Sequence, residues 1–361
     1  MADRRNARLA AVVDGFTNDV DGLLVSSLPN IRYLTGFSGS NALLFLSRGE
    51  RLLITDFRYD TQVRAEVGDL AAIRIERVSL WDGLWAVLPT MQGLKVLGFE
   101  AAHVTHRDFQ RLLESGARWQ WRPQPHLVED LRESKDADEV DLIRQAADMA
   151  LRALGRTLQS VREGLTELQV AGILEHALRD EGSEGFPFPT IVASGPRAAL
   201  PHARTSSRAL ARGDLVILDF GAEYRGYCSD ITRTFVVGTA SAEQREAHDV
   251  VRGANAAAQT GIRAGMTGQD ADALARRYIE RHGYGEAFGH GLGHGIGLEV
   301  HEAPRLSRTA TGRLPVGAVV TIEPGIYRPE WGGIRIEDDV HLSADGPELL
   351  TDYPRELIEV P

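Results

Sequence analysis

Residues 288–297 have the sequence Phe288-Gly289-His290-Gly291-Leu292-Gly293-His294-Gly295-Ile296-Gly297, in which every second residue is glycine. Five glycines in ten residues allow the backbone to fold closely around a bound group, because glycine lacks a Cβ atom. Four of the eleven histidines of the chain fall between His282 and His301. Nitrogen ligands beside carboxylates suit a transition metal, so this run is a candidate metal site. A flexible glycine loop with incidental histidines is the alternative interpretation.

Upstream of the run, a predicted hairpin carries two acids. Its strands are Leu215–Phe220 and Tyr227–Val237, and Asp219 ends the apolar part of the first strand. A buried carboxylate is costly there unless a cation or hydrogen bonds compensate for it. Asp230 lies on the returning strand, so the hairpin can bring the two carboxylates together, where like charges raise one pKa or recruit a metal. A turn acid and an exposed strand acid are the alternative.

Downstream of the run, a second predicted hairpin repeats this pattern. Its strands cover Ala318–Glu323 and Gly333–Leu342, and Glu323 ends the apolar part of the first. Arg335 and Glu337 are two residues apart on the second strand, so both point to the same face. For Glu337 and the acids that follow it, a solvated acidic edge is the alternative.

The remaining pattern predicts two domains, an α/β domain at 1–126 and an α+β domain at 127–361, divided by the turn-rich segment Trp121–Pro125. In the first domain we expect a helix at Asp3–Val13 and a mixed sheet. The runs that predict its strands are Gly22–Ser26, Asn41–Ser47, Arg51–Thr55, Ile73–Ile75 and Leu94–Phe99. Predicted helices of the second domain begin at Asp138 and cover Thr166–Asp180, Glu243–Gly261 and Asp270–His282. Thr166 is expected to cap its helix together with Gln169.

Composition narrows the function classes. The chain has 361 residues and a formal charge of −11, which argues against nucleic-acid binding. No apolar run approaches the roughly 20 residues of a membrane span, and no apolar segment of a secretory signal follows the charged N-terminus. The single cysteine, Cys228, excludes an intrachain disulfide and a thiolate zinc cluster and is expected to be a core residue. A cytoplasmic location is the simplest expectation.

Taken in order, these motifs resemble the pita-bread metallopeptidase family, which comprises Xaa-Pro dipeptidases, Xaa-Pro aminopeptidases and methionine aminopeptidases. The matching stretches are Leu218–Gly221, Ser229–Thr234, Gly289–Glu302, Thr321–Gly325 and Gly333–Asp338. The N-terminal segment resembles the creatinase-type domain of the Xaa-Pro enzymes through Asn30–Phe37 and Thr55–Tyr59. The resemblance implies an α+β fold with a C-terminal pita-bread catalytic domain and an N-terminal creatinase-type α/β domain that mediates homodimerisation and narrows access to the site. We hypothesise that Arg58 and Tyr59 help to limit peptide length.

The resemblance also implies two divalent metal ions per subunit, Mn²⁺, Co²⁺ or Zn²⁺. The implied ligands are Asp219 on one ion, Asp230 and Glu337 bridging both, and His294 and Glu323 on the second ion. The resemblance thereby selects His294 over His290, a choice that the residues alone left open. It implies a bridging hydroxide that attacks the scissile carbonyl, with Glu323 as the group that carries the proton to the leaving proline nitrogen. Thr232 is expected to donate a hydrogen bond to Asp230.

On the substrate side, His202, His290 and His301 match histidines that contact substrate, and Arg335 matches an arginine near the acids. Arg305 matches an arginine that dipeptidases use for the C-terminal carboxylate, which an arginine fork suits. A structural polar role is the alternative for the three histidines and for Arg335. For Arg305 the alternative is a solvated arginine on a loop.

The expected function is therefore hydrolysis of the Xaa-Pro bond of dipeptides, as by a prolidase. An Xaa-Pro aminopeptidase acting on longer peptides with proline second is the first alternative. A catalytically inert pita-bread binding protein is a remote one. The N-terminal domain disfavours a methionine aminopeptidase, because those enzymes generally lack it.

Overall fold

The computed structural model describes residues 2–16 and 19–361, and the chain divides into two compact units, Met1–Arg132 and Glu133–Pro361. The division follows Arg132 rather than residue 126 because the helix Glu129–Arg132 is bonded into the first unit. The Asn30 amide donates to Glu129 Oε1 at 2.6 Å and accepts from the Arg132 guanidinium at 2.7 Å. No helix within the described ranges is long and apolar enough to cross a membrane.

The first unit is an α/β domain, as predicted. Its elements in chain order are α1 (Ala2–Asp14), β1 (Gly22–Val25), α2 (Leu28–Thr35), β2 (Ala42–Ser47), β3 (Arg51–Asp56), α3 (Asp60–Val67), β4 (Ala72–Glu76), α4 (Leu80–Val87), β5 (Val96–Glu100), α5 (His106–Glu114), β6 (Gln120–Gln124) and α6 (Glu129–Arg132). The strands form a six-stranded mixed sheet in the order β4-β3-β2-β1-β5-β6. The β2–β3 hairpin has the predicted antiparallel pairing.

The segment Trp121–Pro125, predicted to be a boundary turn, is instead mostly the strand β6. This strand runs parallel to β5 at one edge of the sheet. Pro123 misled the prediction, because proline is excluded from central strands but tolerated at an edge, where one side of the strand has no hydrogen-bond partner.

The second unit contains the candidate site. Its elements are α7 (Ala137–Leu158), α8 (Glu167–Asp180), β7 (Ile191–Ser194), β8 (Leu215–Phe220), β9 (Glu223–Tyr224), β10 (Tyr227–Cys228), β11 (Ile231–Val237), α9 (Ala242–Gly261), α10 (Gly268–Arg281), β12 (Gly293–Gly295), β13 (Glu302–Leu306), β14 (Val319–Ile322), β15 (Gly325–Arg328), β16 (Gly332–Arg335), β17 (Asp338–Ser343), β18 (Gly346–Leu349) and β19 (Ile358–Val360). Two sheets, β19-β11-β8-β7 and β13-β12-β14-β17-β18, account for most strands. The pairs β9–β10 and β15–β16 are small ribbons.

Each sheet of the second unit buries its apolar face against a pair of helices. Helices α7 and α8 supply residues such as Leu154 and Leu174 to a core that includes Leu218 of β8. Helices α9 and α10 form the equivalent core against β14 and β17. The predicted cap of α8 is confirmed, because Thr166 and Gln169 form a reciprocal capping box. With the apolar face of each sheet covered by helices, the polar side chains at the strand ends are available to form a site.

Two predicted strands are interrupted, and both interruptions fall at candidate ligands. The segment Tyr227–Val237 separates into β10 and β11, with Asp230 just before β11. The segment Gly333–Leu342 separates into β16 and β17, with Glu337 between them. The backbone N–H of Asp230 donates to Asp339 Oδ2 at 3.0 Å, and that of Glu337 donates to the Thr232 carbonyl at 3.1 Å. These bonds replace regular ladder bonds and bring the two interruptions side by side.

Candidate active site

Three side chains from separate parts of the second unit converge on one point. One ligand atom each from Asp230, His294 and Glu337 lies within 4.8 Å of the others. All three residues are buried, with 4%, 6% and 2% of their surface exposed. They come from the residue before β11, from β12 and from the break between β16 and β17. Two carboxylates and an imidazole at this separation can together bind a divalent transition-metal ion.

The other two predicted ligands border the same cluster. Asp219 lies on β8 directly across the ladder from Thr232, and its Oδ2 accepts from the Arg335 guanidinium. Glu323 follows β14, and its Oε1 lies 3.5 Å from His294 Nε2. All five predicted ligands line one cavity of about 930 Å³.

The chemistry of this cluster fits a bound cation. Burial raises the pKa of Asp230 and of Glu337 well above the usual range, and repulsion between the neighbouring carboxylates adds to it. Burial also raises the pKa of Glu323 to about 8. Asp230 Oδ1 is buried and has no hydrogen-bond partner among the described residues. A divalent ion would satisfy that oxygen and offset the repulsion, so the residues present fit the metal that the sequence implied.

The hydrogen bonds of His294 prepare one ring nitrogen to bind a metal. Its Nδ1 lies 3.1 Å from the Gly295 carbonyl oxygen, and because that oxygen can only accept, we assign the proton to Nδ1. The lone pair is then on Nε2. Nε2 faces the acids, 3.5 Å from Glu323 and 3.9 Å from Asp230. Burial lowers the pKa of His294 to about 3, which keeps the ring neutral, as a metal ligand must be.

His290 is bonded differently. Its Nδ1 lies 2.8 Å from the Gly291 carbonyl, and its Nε2 lies 2.9 Å from the Tyr327 hydroxyl. With Nδ1–H as donor, Nε2 accepts from Tyr327 and is already occupied. This geometry favours His294 over His290 as the ligand.

Thr232 donates to a different carboxylate from the one predicted. Its hydroxyl donates to Glu337 Oε2 at 2.6 Å and accepts from Arg335 Nε at 3.1 Å. Asp230 lies before β11 and outside the strand pairing that includes Thr232. Glu337 lies beside Thr232, because its backbone N–H donates to the Thr232 carbonyl. The hydroxyl of Thr232 therefore donates to Glu337 and not to Asp230.

Arg335 is buried and joins the acids to the substrate side. Its guanidinium donates to Asp219, to the Pro201 carbonyl at 3.2 Å and to the Tyr327 hydroxyl at 2.9 Å. Tyr327 in turn reaches His290, which gives an unbroken chain of hydrogen bonds from Asp219 to His290. Sequence reasoning missed Tyr327, since a tyrosine beside a turn has no pattern that predicts its hydroxyl partner.

The remaining predicted residues lie at the exposed side of the cavity. His202, His301 and Arg305 are exposed and line it. The ring of His301 contacts that of His294 edge to face, with centroids 4.3 Å apart. An apolar wall on the same cavity was not predicted. It consists of Phe188, Pro189, Ile191 and Leu306.

The alternating glycines have a packing reason. A Cβ on Gly293 would clash with the Thr321 carbonyl, and one on Gly295 would clash with the Ala303 carbonyl. These positions belong to β12, which is held between β13 and β14 in a tight approach of three backbones. Only glycine permits that approach, which places His294 beside Glu323.

Comparison with known proteins agrees with the two-domain fold. Metallopeptidase family M24 matches residues 141–344, and the creatinase/prolidase N-terminal domain matches residues 16–134. A structure of an Xaa-Pro dipeptidase from Bacillus anthracis superposes with a TM-score of 0.94 at 39% identity, covering 100% of both chains. An X-Pro aminopeptidase from Thermotoga maritima gives 0.90 at 38% identity, covering 100% of this chain and 99% of that one. An Xaa-Pro dipeptidase from Pyrococcus horikoshii is 36% identical over 94% of this chain and 95% of its own.

Fold and site together define a metal-dependent peptidase with a pita-bread catalytic domain and a creatinase-type N-terminal domain. The chain belongs to metallopeptidase family M24.

Proposed function

We propose that this peptidase hydrolyses the Xaa-Pro bond of dipeptides, using two divalent ions per subunit. The observation that carries the proposal is the buried Asp230–His294–Glu337 cluster in a cavity that Arg305 also lines. A dipeptide presents a free carboxylate close to its scissile bond, and an arginine can bind a carboxylate with two parallel hydrogen bonds. Relatives named dipeptidase and relatives named aminopeptidase are similar to this chain to a comparable degree, so our choice between the two activities rests on Arg305.

The proposed ligands of the ions are Asp219, Asp230, His294, Glu323 and Glu337. When bound, Mn²⁺, Co²⁺ or Zn²⁺ would supply Lewis acidity and a water acidified toward neutral pH. The mixed oxygen and nitrogen donors suit any of these three ions.

The side chains of the chain itself then orient the substrate and move protons. Glu323, with 18% of its side chain exposed, is the least buried acid in contact with His294, and we assign it the transfer of a proton to the leaving proline nitrogen. Arg335 fixes the Asp219 carboxylate, and His202 and His301 bind the peptide from the exposed side. His290 also lines the cavity, and its use by substrate requires exchange of its bond to Tyr327.

An Xaa-Pro aminopeptidase that acts on longer peptides is the second candidate. The cavity of about 930 Å³ supports it, since this volume exceeds what a dipeptide fills. A catalytically inert binding protein would have no need of buried, mutually repelling carboxylates, which cost stability unless a cation is bound.

We assign the first unit to homodimerisation and to restricting peptide length, in a cytoplasmic protein that binds neither nucleic acid nor membrane. The guanidinium of Arg58 is held in one orientation on that unit, because it donates two hydrogen bonds of 2.8 Å to Asp56. The hydroxyl of Tyr59 bonds to Ser40 at 2.6 Å. Sedimentation of the full chain tests the dimer, and a monomer at micromolar concentration would refute it.

The function is tested by a panel of peptides with defined metals. Metal-depleted protein is reloaded with Mn²⁺, Co²⁺ or Zn²⁺ and offered Ala-Pro, Ala-Pro-Ala and, as control, Ala-Ala. We expect rapid hydrolysis of Ala-Pro, slow hydrolysis of the tripeptide and none of Ala-Ala. In Arg305→Gln the preference for the dipeptide should fall by about 10- to 100-fold, because the carboxylate loses its ionic partner.

Activity on the tripeptide alone would replace the dipeptidase assignment by the aminopeptidase one. Full activity of Asp219→Ala, or none with any ion in the wild type, would refute the catalytic proposal altogether.

A further inference from the structure

The segment 194–206, here called the substrate arm, carries His202 between β7 and β8. His202 is exposed, and no hydrogen bond from its imidazole to another described residue is present. Its position at the cavity is therefore set by the backbone of the arm. What fixes the arm is consequently of interest for catalysis.

Both ends of the arm are bonded to a single carboxylate, that of Glu167. Its Oε1 accepts from the backbone N–H and the hydroxyl of Ser194, each at 2.8 Å. Its Oε2 accepts from the backbone N–H of Ser206 at 2.9 Å and from the hydroxyl at 2.6 Å. Four donors from the two ends of one segment thus converge on one side chain.

Further bonds extend this clamp into the arm. Arg197 Nε lies 3.1 Å from Glu167 Oε2, and another nitrogen of the same guanidinium donates to the Arg204 carbonyl. In the middle of the arm, Arg335 donates to the carbonyl of Pro201, the residue before His202. The arm is held at its base by Glu167 and near His202 by the active-site arginine.

The location of Glu167 is unusual for a first-turn acid. It is the first residue of α8, where a glutamate ordinarily faces water and interacts with the helix dipole. Here the residue is completely buried, with 0% of its surface exposed. A carboxylate is costly to bury unless hydrogen-bond donors satisfy its oxygens. For Glu167 these donors come from Ser194, Ser206 and Arg197.

We propose that Glu167 is a positioning residue for hydrolysis: by clamping the two ends of the substrate arm, it holds His202 at the cavity. This inference rests on the proposed function, in which His202 binds the peptide. Glu167 itself touches neither the metal ligands nor the cavity, so its effect is transmitted through the arm.

The test is a double-mutant cycle between Glu167→Gln and His202→Ala, with Ala-Pro hydrolysis as readout. The amide keeps the size of the side chain but replaces one acceptor by a donor, so either the Ser194 donors or the Ser206 donors lose their acceptor. We expect Glu167→Gln to lower kcat/KM by about 10- to 100-fold, as misplacement of a binding group does. In the double variant we expect no loss beyond that of His202→Ala alone, because both changes remove the same contact.

Glu181→Gln is the matched control. Glu181 follows the same helix, and among the described residues its carboxylate pairs with Arg152 and Arg156 at the surface, so activity should be unchanged. Losses that multiply in the double variant, or a fully active Glu167→Gln, would overturn the proposal.

Amide hydrogen exchange separates this proposal from the proposed function. In Glu167→Gln we expect faster exchange over residues 194–206 and unchanged exchange in β11 and β17, and we expect unchanged Mn²⁺ affinity. If no Xaa-Pro peptide is hydrolysed but exchange in the arm rises, the clamp stands and the proposed function fails. Unchanged exchange refutes the clamp whatever the activity. Should Glu167→Gln not fold, Ser206→Ala, which removes one donor, must show a smaller change of the same kind; no change in it refutes the clamp.

Discussion

Replacing Thr232 by valine tests how the fold holds the proposed metal ligands. The substitution keeps the shape of the side chain and removes a fully buried hydroxyl that donates to Glu337 at 2.6 Å and accepts from Arg335 at 3.1 Å. A hydrogen bond to a charged group contributes about 1.5–3 kcal/mol, so we expect the free energy of unfolding to fall by about 3 kcal/mol. Because Glu337 loses the group that orients it, Mn²⁺ affinity should fall by about 10- to 100-fold.

Thr234 provides the matched control for this prediction. It lies two residues further along β11 and therefore on the same face, and it is 2% exposed. Its hydroxyl exchanges two 3.0 Å bonds with the backbone of Arg335 and contacts no carboxylate. Thr234→Val should reduce stability by about 1–3 kcal/mol, the sum of two neutral hydrogen bonds, and leave the Mn²⁺ affinity unchanged.

The assay combines calorimetric titration of metal-depleted protein with Mn²⁺ and urea denaturation of the same samples. Equal losses of metal affinity in the two variants would mean that any defect in β11 disturbs the site, and the reasoning would be refuted. Unchanged affinity in Thr232→Val would show that Glu337 needs no orienting hydroxyl.

Two further predictions concern stability. Burial lowers the pKa of His248 from 6.5 to about 4, so the unfolded chain binds a proton here more readily than the folded chain does. The contribution of His248 to the free energy of unfolding is therefore full above pH 6.5 and is lost as the pH falls toward 4. The stability of the wild type relative to His248→Gln should therefore decline by about 3 kcal/mol between pH 7.5 and 4 in urea titrations; a constant difference would contradict a buried neutral imidazole. Lys135 forms a buried ion pair with Glu302 at 2.7 Å, so Lys135→Met should destabilise the protein by about 3–5 kcal/mol and Lys135→Met/Glu302→Leu by much less. If Lys135→Met/Glu302→Leu were no more stable than Lys135→Met, the loss of stability in the single variant would not come from the unpaired carboxylate of Glu302.

The sequence was sufficient to predict the features that follow from local pattern. Asp219 and Glu323 each end an apolar strand, a placement that is costly without compensation, and both lie in the cavity. The mixed sheet of the first unit and the cap of α8 also follow from neighbouring residues. Family resemblance was needed to choose His294 over His290, because both histidines have glycine neighbours on either side.

The features that were missed depend on contacts between distant residues. Glu167 has the sequence context of an ordinary first-turn acid, and its partners Ser194 and Ser206 are 27 and 39 residues away. Tyr327 likewise acquires its role from His290, 37 residues upstream. The breaks at Asp230 and Glu337 were not predicted because no glycine or proline stands beside either residue to mark an interruption of the strand.

Those two breaks explain how the carboxylates stay together despite their repulsion. The backbone at Asp230 is bonded to Asp339, two residues beyond Glu337, while the backbone at Glu337 is bonded to Thr232, two residues beyond Asp230. Each proposed ligand is therefore held by the strand that follows the other, so neither can move away without breaking a bond to that strand. Regular ladders could not provide this arrangement, because their N–H groups would be used within one sheet. The interruptions thus hold the proposed ligands in place, and we expect cation binding to require little rearrangement of the backbone.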